Sequence, residues 1–140
     1  MAQIARIPII KLYGNLIVSI QVTLSDRLVI QLKDDITAAI VKHDVHGLII
    51  DVSGIDVMDS YISRALRDVS LIAKLMGVET VISGMHPVIA VTLVEMGLDL
   101  EGMHAAMDLE AALEHLETET RRKLQLDVEK DDLLEEHGLD

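Results

Sequence analysis

The chain has 140 residues, half of them apolar, and 24 acidic against 12 basic side chains, for a formal net charge of −12. That length and apolar share suit one domain with one buried core, while the charge excludes partners held through a positive field, namely nucleic acid and anionic membrane surfaces. With no Cys, Trp or Phe and only Tyr13 and Tyr61 as aromatics, disulfides and thiolate metal ligands are excluded as well, and few rings remain for stacking nucleobases, sugars or flavins.

In chain order, Ile7 to Tyr13 reads as a short strand, Gly14-Asn15 as a tight turn and Leu16 to Val22 as the hairpin partner. Ser25 and Asp26 offer N-caps for a first helix, along which Leu24, Leu28, Leu32, Ile36 and Ile40 recur in steps of four. Gly47 to Val52 is a continuous apolar run, the pattern of a strand covered on both faces. A second helix carries Ile62, Ala65, Leu66, Val69, Ile72, Ala73 and Met76 on one face and stops at Gly77. Val78 to Ile82 is the next strand. Pro87 opens a third helix that Gly97 closes, a weak strand falls near Leu100 to His104, and Asp108 can cap a last helix.

The order is β-β-α-β-α-β-α-β-α, which predicts an α/β fold with a mixed central sheet, parallel core strands and helices packed against it. Residues 1–119 form the domain in this reading. Residues 120–140 form an acidic tail or helical extension, since Asp127 to Asp140 holds seven acids and one Lys. The first residues lack the charged start and apolar run of a signal peptide. No stretch approaches the roughly 18 apolar residues of a membrane span, so a cytoplasmic protein is expected.

Catalytic patterns are missing. Asp51, Asp56 and Asp59 cluster around one strand-to-helix loop, where α/β sheets place their sites. A phosphoacceptor aspartate also needs an acidic pair after the first strand to hold Mg²⁺, and Lys11-Leu12-Tyr13-Gly14-Asn15 supplies none. The six His residues show no tight ligand spacing, and no phosphate-cradling Gly loop or nucleophile elbow occurs. No enzyme, metal or cofactor is therefore expected, and a small nucleotide-binding domain is disfavoured.

Ser60 stands between the Asp56-Val57-Met58-Asp59 loop and the second helix. As plain structure it reads as the helix N-cap. A phosphate there is also chemically compatible: it would face the helix's positive end, and Arg64, one turn on, could reach it, against repulsion from Asp56 and Asp59. Met58 and Tyr61 are the apolar residues beside this loop and would serve as contact anchors, unless Met58 belongs to the core.

The stretch DVSGIDVMDSYISRALRDVSLIAKLMG resembles the central motif of STAS domains, in which a strand runs into a D-S loop and an amphipathic helix. In that family the Ser of the D-S pair, here Asp59-Ser60, takes phosphate. The opening IPIIKLYGNLIVSIQVTLSD, the segment AKLMGVETVISGMHPVIAVTLVEMGLDLEG and MDLEAALEHL are similar to the RsbS type of stressosome protein, over about residues 6–117. The G-x-L-D pattern usual in antagonists of anti-sigma factors is missing, which leaves that role as the alternative.

The resemblance implies a non-catalytic scaffold that assembles with larger RsbR-type STAS paralogues and holds an RsbT-type serine kinase. It implies release of the kinase on phosphorylation of Ser60, with a dedicated phosphatase resetting the serine. Asp56, Met58, Asp59, Tyr61 and Arg64 are the expected partner-binding residues. Self-association into a large oligomer is expected from the same resemblance, and the half-apolar composition separately predicts leftover apolar surface, with the N-terminal hairpin edge and the exposed ends of the first helix as candidates. Ser63 is left open as a second phosphorylation site.

Overall fold

The computed structural model describes residues 6–97 and 103–138. Its elements run β1 (Ile9–Leu12), β2 (Asn15–Ser19), α1 (Asp26–His43), β3 (Gly47–Asp51), α2 (Ser60–Leu75), β4 (Glu79–Ser83), α3 (Pro87–Glu95), β5 (His104–Ala106) and α4 (Leu109–Glu136). This is the expected order, in one five-stranded sheet arranged β1-β2-β3-β4-β5. β1 is antiparallel to β2, and every later pairing is parallel.

Each strand after β2 adds on the same side of its predecessor. Right-handed crossovers that keep one direction place all their helices on one face of the sheet. Residues of α1, α2 and α3 accordingly share one core with Leu16, Val18, Leu48, Ile50 and Ile82. The alternate side chains Ile17, Ile49 and Val81 point the other way and meet Ala112 and Leu116 of α4. β3 is therefore covered on both faces, and Leu48, Ile49 and Ile50 have no exposed surface.

Local chemistry sets most of the boundaries. Ser25 caps α1 as expected, its Oγ accepting from the Leu28 amide at 3.2 Å. Asp108 does the same for α4, Oδ1 accepting from the Ala111 amide at 2.8 Å. Pro87 occupies the first turn of α3. The buried line of α1 is Val29, Leu32, Ile36 and Ile40, with Leu28 only half-buried at its edge. On α2, Ser63 and Ser70 join Ala65, Leu66, Val69 and Ala73 in the interior, while Ile62, Ile72 and Met76 are half-buried.

Two boundaries differ from expectation. The β1–β2 turn is centred on Tyr13 and Gly14, with φ of 51° and 77°, not on Gly14-Asn15. Two consecutive positive φ values are the type I′ geometry that matches strand twist, and Asn15 thereby becomes the first residue of β2. The last strand occupies His104–Ala106, while residues 100–102 of the expected strand lie outside the described residues.

No break marks residue 120. α4 continues to Glu136, about 42 Å in all at 1.5 Å per residue. Just before its midpoint it carries Glu117–Arg121 at 2.6 Å and Glu119–Arg122 at 3.8 Å as intrahelical ion pairs, and the half beyond is exposed. Gly47 sets how closely α4 sits on the sheet: a Cβ there would lie 2.6 Å from Leu116 Cδ1 and closer still to Asn15 Oδ1.

Candidate functional site

The loop from Val52 to Asp59 leaves the C-terminal end of β3 and enters α2. Its path is held by buried side chains. Val52, Ile55 and Met58 are 0%, 7% and 5% exposed and belong to the main core. Burying every third residue leaves Ser53, Gly54, Asp56 and Val57 outward. Met58 is thus an anchor of the loop and not a surface contact, which corrects one expectation. Val57, 75% exposed, is the apolar side chain actually presented. Sequence reasoning missed it, although an apolar residue between acids in a loop was the available signal.

A second correction concerns the helix start. Asp59 is the N-cap of α2, with extended backbone (φ −104°, ψ −178°) and Oδ1 accepting from the Ile62 amide at 2.8 Å. The Ser63 amide bonds to the Asp59 carbonyl at 3.1 Å, closing the first helical turn one residue earlier than a cap at Ser60 would. Ser60 is therefore the first helical residue and half-buried. Among the described residues no hydrogen bond engages its hydroxyl. Capping has passed to the neighbouring aspartate, which leaves the serine oxygen free for other chemistry.

The other hydroxyls nearby are engaged. Ser63 is 3% exposed and donates to the Asp59 carbonyl at 3.0 Å, which removes it from reach as a second phosphorylation site. Ser53 Oγ donates to Asp51 Oδ2 at 2.8 Å, and Ser83 Oγ, fully buried, donates to Asp51 Oδ1 at 3.3 Å. Asp51 thus ties the end of β3 to the end of β4. The three loop aspartates have separate roles: Asp51 accepts from serines, Asp59 caps, and Asp56 is exposed.

Around Ser60 the surface is acidic and partly apolar. Tyr61 is 40% exposed. Hydrogen bonding toward the carboxylate of Asp26, in the first turn of α1, with partial desolvation and the negative charges of Asp26 and Asp59, holds the Tyr61 phenol above the ordinary tyrosine range. Asp26 therefore belongs to this surface, and sequence reasoning had read it only as a possible cap. Arg64 is exposed one turn beyond Ser60, on the same side of α2. Lys33 of α1 meets Asp68 of α2 at 3.4 Å, an ion pair that links the two helices near their middles.

Replacing Asp59 with Ala is expected to lower stability by about 1 kcal/mol, the usual worth of a helix cap. The same change at Ser60 should cost less than half of that, as measured by urea unfolding at pH 7. Equal losses at the two positions would contradict the cap assignment.

A second group of polar side chains lies away from this loop, on the sheet face that α4 covers. Glu79 Oε1 is 3.1 Å from His104 Nε2 and 3.3 Å from His115 Nε2, and the two imidazole centroids are 4.4 Å apart. Spacing along the chain could not reveal this set, because β4, β5 and α4 each contribute one residue.

Comparison with known proteins agrees with the fold. Residues 6–112 match the STAS domain model. RsbS of Moorella thermoacetica, solved as a serine-to-glutamate variant, is 39% identical with a TM-score of 0.73, covering 84% of this chain and 99% of that one. A chain in a structure of the stressosome, described there as a signal integration and transduction hub, is 40% identical with a TM-score of 0.72, covering 81% and 99%. The RsbT co-antagonist protein RsbRA of Bacillus subtilis is 25% identical over 118 residues, 84% of this chain. The chain spans 43% of that protein, less than half its length. With a parallel-centred sheet, three helices on one face and an Asp-Ser pair opening α2, the chain belongs to the STAS domain family and resembles its RsbS-type stressosome members.

Proposed function

We propose that this chain is a non-catalytic stressosome scaffold of the cytoplasm. It sequesters an RsbT-type serine kinase and releases it when Ser60 is phosphorylated. In this reading residues 1–119 are the assembling domain, 120–140 are its helical extension, and RsbR-type STAS paralogues are its neighbours in a large oligomer. The observation that carries the reading is the placement of Ser60: first residue of α2, half-buried, with its hydroxyl released from capping by Asp59.

Transfer forms a bond between Ser60 Oγ and the γ-phosphorus of ATP and breaks the bond to ADP. The hydroxyl proton passes to the kinase's general base. The product sits at the positive end of α2, so the fold tolerates it. A docked partner does not. Val57 and Tyr61 flank the serine as exposed apolar contacts, and Asp26, Asp56 and Asp59 already make the patch acidic. About −1.5 to −2 of added charge must then be desolvated within an interface, which opposes binding. A resetting phosphatase restores the serine.

Size-exclusion chromatography of the chain mixed with an RsbT-type kinase tests the release step. Wild type and Ser60→Ala are expected to co-elute with the kinase, and Ser60→Glu to bind at least tenfold more weakly. Undiminished co-elution of Ser60→Glu would refute release by charge at this position.

A further inference from the structure

We propose that Glu79, His104 and His115 form a binding site for one divalent transition-metal ion of the zinc class, joining α4 to the β4–β5 side of the sheet. One ligand atom from each of the three residues lies within 4.8 Å of the other two. Two imidazole nitrogens and one carboxylate oxygen are a donor set that zinc favours, and three protein ligands leave the fourth position for water. The spacing also fits. With bonds of 2.0 to 2.1 Å at tetrahedral angles, neighbouring ligand atoms stand about 3.3 Å apart. The observed Oε1 to Nε2 separations are 3.1 and 3.3 Å.

The protein already holds the ligands near that arrangement. Glu79 begins β4 with its side chain 18% exposed, and His115 lies on the sheet-facing side of α4 at 31%. His104, at 56%, is the ligand free to adjust. Without metal, His115 Nε2 hydrogen-bonds the Glu79 carboxylate at 3.3 Å, and His104 Nε2 stands 3.1 Å from the same oxygen. Metal binding requires the tautomer with the proton on Nδ1, a change open to neutral histidines. Glu79 and His104 line a cavity together with Lys74, Glu119 and Lys123.

A metal here would act as a clip. The interior shared by α4 and the sheet is small, with Ile17, Ile49, Val81, Ala112 and Leu116 as its buried members. A coordinate link from α4 to two strands would add to it directly, because binding to the folded form alone raises stability.

Isothermal titration of the metal-free full chain with Zn²⁺ at pH 7.5 tests the site. One ion per chain is expected, with a matching rise in Tm. Glu79→Gln, His104→Ala and His115→Ala should each weaken binding at least tenfold, while His43→Ala and His86→Ala leave it unchanged. His104 is exposed, so its variant keeps the fold and remains a fair test even if His115→Ala unfolds. Failure of Zn²⁺ to bind saturably, or equal affinity in wild type and His104→Ala, would overturn the proposal.

Discussion

Leu116→Ala is expected to destabilise the domain by about 2–5 kcal/mol, the range for truncating a fully buried leucine. Leu116 is 2% exposed and packs on Ile17, Ile49 and Val81 from the sheet face that the three crossover helices leave bare. It also rests against Gly47, whose missing side chain makes the close approach possible. Few neighbours can collapse into the gap, because the cover on this side is one helix and, among the described residues, its buried cluster has five members. The comparison that makes this informative is Leu124→Ala, two turns further along the same helix and 61% exposed. That change should stay within about 0.5 kcal/mol, as surface substitutions do. Urea unfolding of the two variants beside wild type checks the pair. Losses of similar size would mean that α4 is not what covers the sheet.

This asymmetry explains which parts of the fold were legible in the sequence. The strands and the α1 and α2 stripes follow from apolar periodicity, and Ser25, Pro87 and Asp108 mark helix starts by their own chemistry. The start of α2 was less legible because Asp59 and Ser60 are both good caps and adjacent. A shift of one residue satisfies either, and only the first-turn bond from the Ser63 amide to the Asp59 carbonyl decides it. Tyr13 at positive φ was equally hidden, since bulky side chains rarely take that conformation outside tight turns. Met58 is ambiguous in any sequence, and its burial depends on how the loop folds back over the core. The Glu79, His104 and His115 group is a tertiary fact with no local pattern to announce it.

The second large effect is chemical. Ser60→Ala is expected to remove nearly all phosphate incorporation by an RsbT-type kinase while leaving the fold intact. Each competing hydroxyl nearby is accounted for by a bond. Ser63 is buried against the Asp59 carbonyl, and Ser53 and Ser83 are held by Asp51. A kinase must bring the acceptor oxygen in line with the γ-phosphoryl group. A hydroxyl that must first break its hydrogen bond, and for Ser63 and Ser83 also leave the core, is a poorer acceptor. Ser60 needs neither change. A phosphate at this first-turn position is expected to leave α2 formed, since the added charge would meet amide N–H groups and the positive end of the helix, with Arg64 one turn away. The expected disturbance is to the surface beside Val57 and Tyr61, both exposed.

The most direct measurement is phosphate stoichiometry by intact-mass analysis after incubation with an RsbT-type kinase and ATP, for wild type, Ser60→Ala, Ser53→Ala and Ser63→Ala. One phosphate per chain is predicted for wild type, Ser53→Ala and Ser63→Ala, and less than about a tenth of that for Ser60→Ala. Undiminished labelling of Ser60→Ala would contradict the account and place the switch on another surface of the same fold.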